Sequence, residues 1–195
     1  MGNKKVLLVL ALTLALVLVG ATVLYDQLSG MADPEQLMPQ GTEPTEAGGT
    51  EPTQVELPMA PDFTVYDGDG KAVKLSDYFG KPIVLNFWAS WCGPCQMEMP
   101  DFQEKYLELG DEIQFLMVNA TGGRETVESA KSFLAGTEYT FPVFFDTGAD
   151  ASMAYGVYYL PTTYFIDAQG HLIARATSAI DAETLQRGID MITAS

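Results

Sequence analysis

Apolar and polar positions divide the chain into three stretches. Residues 6–24 are apolar on every side, interrupted only by Thr13, Gly20 and Thr22. Residues 26–58 carry no aromatic side chain and no periodicity, but repeat Thr-Glu-Pro-Thr at 42–45 and 50–53. Aromatic and β-branched residues return at Phe63, and from there strand-like and helix-like runs alternate.

Residues 63–66 and 72–75 flank Asp67-Gly68-Asp69-Gly70, the composition of a hairpin turn. Residues 83–88 are a short apolar run suited to a buried strand. Cys95, Met99, Phe102 and Tyr106 then recur at i, i+4, i+7 and i+11, one face of a helix that Pro100 is expected to kink. Residues 113–119 read as a second buried strand. Residues 124–135 read as a helix, with Val127, Ala130, Phe133 and Leu134 at suitable spacing and Gly136 ending it. A third strand at 141–145 and a short helix at 151–155 follow. Residues 162–166 and 171–176 pair across Ala168-Gln169-Gly170, and a last helix runs from an Asp181 cap through Leu185, Ile189 and Ile192. The order β-β-β-α-β-α-β-α-β-β-α predicts an α/β fold, a mixed central sheet with helices on its faces.

The first stretch, within residues 1–25, bears on the compartment. At about 1.5 Å per residue a helix over 6–24 nearly spans a hydrocarbon core of roughly 30 Å. Lys4 and Lys5 precede it and no base follows until Lys71, so the amino end is expected in the cytoplasm and the remainder outside. Val19-Gly20-Ala21 is a tolerable cleavage site, so a retained anchor and a removed signal segment both fit, the length favouring the anchor. Export follows in either case. Residues 26–58 bury too little apolar surface to offset their ordering entropy and are expected to form a disordered acidic tether, leaving 59–195 as the folded domain.

Charge and cysteine count narrow the chemistry. Ten Lys and Arg against 26 Asp and Glu give −16, which excludes a partner held through nucleic-acid phosphates. The acidity is spread over the chain, −5 over residues 1–58 and −11 over 59–195. Two cysteines and one histidine are too few for a self-contained four-ligand zinc site or a disulfide framework.

The cysteines stand together in Trp88-Ala89-Ser90-Trp91-Cys92-Gly93-Pro94-Cys95, between a buried strand and a helix start. Thiols three positions apart can close a small ring, and the unsatisfied N–H groups and positive dipole end of a helix N-terminus stabilise the first thiolate. Pro94 suits the first helical turn, where its missing N–H costs nothing. A purely structural disulfide closing so short a loop would remove little unfolded-chain entropy. Half of a metal site is the other bland reading, but no second Cys-x-x-Cys exists, and His171 reads as a solvated residue at a strand start. The pair is expected to be redox-active.

The run Leu85-Asn86-Phe87-Trp88-Ala89-Ser90-Trp91-Cys92-Gly93-Pro94-Cys95, then Glu98 and Pro100, then Tyr155-Gly156-Val157 and Leu160-Pro161-Thr162-Thr163-Tyr164-Phe165-Ile166-Asp167, resembles the thioredoxin superfamily. Within it, the likeness is to the extracytoplasmic TlpA/ResA-like thiol–disulfide oxidoreductases, over about residues 59–195. The resemblance implies a thioredoxin fold with an N-terminal β-hairpin and an insertion after the first βαβ unit, at about 121–135. It implies a cis Leu160–Pro161 peptide facing the cysteines, with the backbone at Leu160 pairing to an extended partner. On its residues alone, Pro161 is a proline tolerated at a strand start. The resemblance makes Cys92, Cys95, Glu98 and Pro161 the catalytic set, and Trp91, Gly93, Pro94 and Leu160 the surface that meets the partner. It implies no metal and no cofactor beyond the Cys92–Cys95 disulfide. The implied partners of a monomeric, membrane-tethered enzyme are disulfide-containing exported proteins, cytochrome c maturation among the settings, and a membrane thiol electron donor.

Two positions tune this expectation. Cytosolic thioredoxins commonly carry a buried Asp six residues before the first cysteine, whereas this chain has Asn86, which cannot shuttle a proton. Glu98 follows Cys95 by three residues, about 60° around the helix at the border of the apolar face. A half-buried carboxylate there would have a raised pKa and could exchange protons with the cysteines; the bland reading is a surface Glu. Trp88 and Trp91 read as shields of the disulfide.

The leading expectation is attack by Cys92 on a substrate disulfide, with Cys95 resolving the mixed disulfide. Gly-Pro between the cysteines is that of reducing thioredoxins, near about −270 mV, rather than of strong oxidants near about −120 mV. A peroxiredoxin-like activity is the enzymatic alternative, but it wants Thr or Ser three residues before the reactive Cys and an Arg close by. Position 89 is Ala, and the closest Arg in sequence is Arg124. A metal-carrying or chaperone-like binding module is the non-enzymatic alternative.

Overall fold

The computed structural model describes residues 37–39 and 57–194. The expected membrane segment at 6–24 and most of the tether lie outside these residues. Among the described residues no helix is long and apolar enough to cross a membrane.

Eight strands form one sheet: β1 (Met38–Pro39), β2 (Thr64–Tyr66), β3 (Ala72–Lys74), β4 (Ile83–Trp88), β5 (Gln114–Asn119), β6 (Val143–Phe145), β7 (Thr162–Ile166) and β8 (Leu172–Thr177). Their spatial order is β1-β8-β7-β4-β5-β6-β2-β3. β4, β5 and β6 run parallel, and β7 lies antiparallel to β4 with Phe87 opposite Thr162. The helices are α1 (Gly93–Leu109), α2 (Val127–Ala135), α3 (Asp150–Ala154) and α4 (Ala182–Thr193), with a 3₁₀ turn at Leu75–Tyr78. The mixed sheet expected from the hydrophobic pattern is observed.

β4 is buried along its whole length, and the two-residue side-chain period sorts it onto two cores. Val84 and Trp88 join Phe102, Phe115, Phe165, Leu185 and the two cysteines on one face. Ile83, Leu85 and Phe87 join Leu75, Leu116, Val118 and Tyr164 on the other. The same period puts Asn86 on the α1 face, where a polar side chain needs a partner. α4 presents Leu185, Gly188, Ile189 and Ile192 to the sheet. A Cβ on Gly188 would fall 2.2 Å from the Phe165 ring, so glycine is what permits this close approach.

Several expectations change. The tether is not wholly free: Met38 and Pro39 pair with Arg175 and Ala174 on the edge of β8, and Leu37 is buried in the α1-side core. The sequence offers only three apolar-compatible residues there, too short a run for a periodicity to register. Helix α2 begins at Val127, not at 124. Thr126 caps it, accepting from Ser129 N–H at 3.0 Å, and Gly122 and Glu125 form a bridge that keeps Arg124 in a loop. Phe141 and Pro142 lie outside β6, and Leu75 starts the 3₁₀ turn instead of ending β3. α1 is one continuous helix through Pro100. His171 is half-buried and pairs with Asp167 through Nδ1 to Oδ2 at 2.9 Å, so it is not merely a solvated residue.

Candidate active site

β4 ends at Trp88, and four residues later Cys92 becomes the N-cap of α1. Its backbone is extended (φ −84°, ψ 102°) and its Sγ accepts a hydrogen bond from Cys95 N–H at 3.2 Å. That bond satisfies one of the orphan donors of the first helical turn and is the same contact that stabilises a thiolate at this position. Gly93 and the Pro94 ring are exposed in the first turn, where a missing N–H is harmless. Cys92 and Cys95 are joined as a disulfide. Cys95 is fully buried and Cys92 is 4% exposed, so the residual access is to the first sulfur.

Trp88 is fully buried, tilted against Phe133 at 5.9 Å between centroids, whereas Trp91 stands 46% exposed. Only the first is enclosed with the disulfide in the α1-side core. The Leu160–Pro161 peptide is cis, as the resemblance implied. Pro161 is buried and its carbonyl accepts from Ser178 N–H at 3.0 Å, while Leu160 is half-buried against both cores, the one holding the cysteines included. Tyr158 and Tyr159, just before them, are among the most exposed aromatics.

Glu98 is deeper than the border position its helical angle suggests, at 3% exposure. The segment leading into α4 closes over it. Ile180 N–H donates to Oε2 at 3.0 Å, and Asn86 Nδ2 donates to Oε1 at 2.8 Å and to Thr163 Oγ1 at 3.0 Å. Burial pushes the Glu98 pKa up to about 7, the two hydrogen bonds pull it down, and the nearby Asp101 charge raises it. A groove of about 290 Å³ lined by Met97, Glu98, Asp101, Ala179, Ile180 and Asp181 opens beside this residue. Asn86 Oδ1 is buried without a partner. Rotating that amide would offer the oxygen to a protonated Glu98, so Asn86 can serve either state of the carboxyl.

Three groups escaped sequence reasoning. Glu125 is buried and accepts from Ser90 N–H (3.0 Å), Ser90 Oγ (2.8 Å) and Asn119 Nδ2 (2.8 Å), so it ties the insertion to the loop before Cys92. Arg124, its neighbour, lies with its guanidinium carbon 3.7 Å from the centroid of the Trp91 ring. The fold thus brings this Arg, distant in sequence, onto the ring of the residue that precedes Cys92. The backbone N–H of Ile180 is the third. Nothing in the sequence marks Glu125 as buried within its polar loop, and a backbone donor leaves no signal at all. Ala89 is fully buried and offers no hydroxyl, and the adjacent Ser90 hydroxyl is occupied by Glu125. Among the described residues no three His, Cys, Asp or Glu side chains are grouped to hold a metal ion.

Residues 58–175 match the model of the AhpC/TSA family. The chain is 39% identical over 137 residues to the thiol–disulfide oxidoreductase ResA of Bacillus thuringiensis subsp. konkukian (strain 97-27), covering 69% of this chain and 76% of that protein. It is 32% identical over 134 residues to the thioredoxin-like protein YneN of Bacillus subtilis (strain 168), covering 68% and 78%. Among solved structures, a putative thiol:disulfide interchange protein DsbE from Chlorobium tepidum superposes with a TM-score of 0.61 at 32% identity, over 68% of this chain and 94% of that one.

Proposed function

This chain belongs to the AhpC/TSA family and is a thiol–disulfide oxidoreductase of thioredoxin fold and ResA type, and on that ground we propose that it reduces disulfides in exported proteins from the outer face of the cytoplasmic membrane. The observation that carries the reading is the asymmetry of the pair: Cys92 caps α1 with residual access while Cys95 is sealed behind it. In the reduced enzyme the Cys92 thiolate attacks one sulfur of a substrate disulfide and releases the other as a thiolate, which takes up a proton. Cys95 then gives up its proton and attacks Cys92 Sγ, the second substrate sulfur leaves as a thiolate that takes up a proton from water, and the enzyme keeps the Cys92–Cys95 disulfide. Glu98, one turn along α1 from Cys95 and beside the groove, takes the Cys95 proton at its carboxyl. A pKa of about 7 suits both acceptance and return near neutrality.

The partner polypeptide lies across Trp91, Gly93, Pro94 and the Leu160–Pro161 backbone, beside the exposed rings of Tyr158 and Tyr159. The apolar run at 6–24 with Lys4 and Lys5 before it supports an N-terminal anchor, and a membrane thiol donor would re-reduce the disulfide. Apoproteins of cytochrome c maturation are one substrate set of this chemistry. The test is a Cys95→Ser variant, which cannot resolve the mixed disulfide. It should accumulate exported proteins covalently bound through Cys92; capture of none, with the variant folded and its Cys92 reactive, would refute the reading.

A further inference from the structure

The loop between β5 and α2 carries a cation onto Trp91, the residue before Cys92. Gly122 and Glu125 exchange backbone hydrogen bonds of 3.0 and 2.9 Å, which puts Gly123 and Arg124 at the tip of a tight turn. Gly123 has φ 59°, a left-handed conformation in which a side chain would be strained. Glu125 is the anchor of this turn, with three donors from Ser90 and Asn119 around its buried carboxylate. Because Ser90 and Trp91 lead directly into Cys92, anchoring the turn on Ser90 delivers Arg124 onto the exposed Trp91 ring. The guanidinium is itself exposed and forms no ion pair among the described residues, although residues 59–195 carry −11. Stacking on an indole holds a guanidinium flat while leaving its N–H edge free, and that edge is a bidentate match for a carboxylate.

We propose that Arg124, stacked on Trp91 and held there by Glu125, is a specificity residue of the exchange reaction that receives an anionic group lying beside the disulfide under attack. The proposal rests on the disulfide-reductase reading above. A carboxylate next to the target cysteine meets the Arg124 guanidinium on the Trp91 ring, in a domain whose net charge otherwise repels it. Disulfides flanked by acids are therefore reduced faster than the overall charge of the domain would allow. The chemistry is unchanged: the dithiol loses two electrons and two protons, and the substrate disulfide gains them as two thiols.

Two small disulfides of opposite charge isolate the effect, 3,3′-dithiodipropionate and cystamine. The full-length chain is reduced with dithiothreitol, freed of it, mixed with either compound at low salt, and acid-quenched; loss of two hydrogens by mass gives the rate of Cys92–Cys95 oxidation. Arg124→Gln should lower the ratio of the dithiodipropionate rate to the cystamine rate by roughly fivefold, the scale of one exposed charge pair, and 0.5 M salt should erase most of that difference. Lys71→Gln, the same change in net charge on the hairpin at the far edge of the sheet, should leave the ratio at the wild-type value. A ratio unchanged in Arg124→Gln, or moved equally by Lys71→Gln, overturns the assignment. Failure of the wild-type dithiol to react with either compound overturns the reductase reading instead.

Discussion

Replacing Glu98 by Gln removes a buried carboxyl whose pKa is pushed from 4.5 to about 7, mainly by burial. The shift corresponds to about 3 kcal/mol of differential stability between the two protonation states. Its sign is set by which state holds the proton more tightly. The folded pKa lies above the unfolded one, so folding is unpenalised below about pH 4.5. Stability then falls as the pH rises through the interval up to about 7, and the full cost is in place above it. Glu98→Gln abolishes this titration. The new amide can accept from Ile180 N–H, and its NH₂ can donate to Asn86 Oδ1, which has no partner now, once the Asn86 amide rotates, so the fold is retained. Urea unfolding of the oxidised protein at pH 5 and pH 8 measures the effect. The loss of stability between the two should be smaller in the variant by about 2.5 kcal/mol, other carboxyl groups cancelling in the comparison. In the reduced protein, the pH profile of Cys92 alkylation should shift and thiol–disulfide exchange should slow by roughly 10²-fold, the lower range for a general acid–base group. Equal stability differences in the two proteins would refute the burial argument. Superimposable alkylation curves would refute the proton-carrier role.

Other expectations rest on separate contacts. Alkylation of the reduced protein at neutral pH should label Cys92 well before the sealed Cys95, read by peptide mass mapping; the reverse order would sink the assignment of nucleophile. Deleting residues 1–56 removes Leu37 from the core and strips β1 from the Arg175 edge of β8. The domain should still fold and exchange disulfides, with stability reduced by up to about 2 kcal/mol, a loss measurable in urea; an unchanged midpoint would mean that the strand contributes nothing. Glu125→Ala leaves the donors of Ser90 and Asn119 unpaired and should cost about 2–4 kcal/mol, with faster proteolysis of the 120–126 loop as the local readout. Gly188→Ala drives a methyl into the Phe165 ring and should cost about 1–3 kcal/mol; a neutral result would show that α4 can lift off the sheet.

The local rules of the chain were enough to locate the strands at 83–88 and 162–166 and the final helix, because an apolar run or a 3.6-residue stripe needs only its own residues to be recognised. The dithiol and its place at a helix start were legible for the same reason: a capping position and a three-residue spacing are properties of consecutive residues. What lay beyond reach depends on groups far apart in the chain. Glu98 owes its raised pKa to burial beneath the segment that carries Ile180, 82 residues on, while its hydrogen bonds from Ile180 N–H and from Asn86 on β4 pull in the opposite direction. No pattern near Glu98 distinguishes a buried carboxyl from a surface one, since desolvation is decided by what packs over it. Likewise Arg124 belongs by sequence to a helix, and only the Gly122–Glu125 bridge and the Thr126 cap turn it back onto Trp91. Met38 and Pro39 become a strand because β8 presents an open edge, a partner that a short segment of low propensity cannot announce by itself.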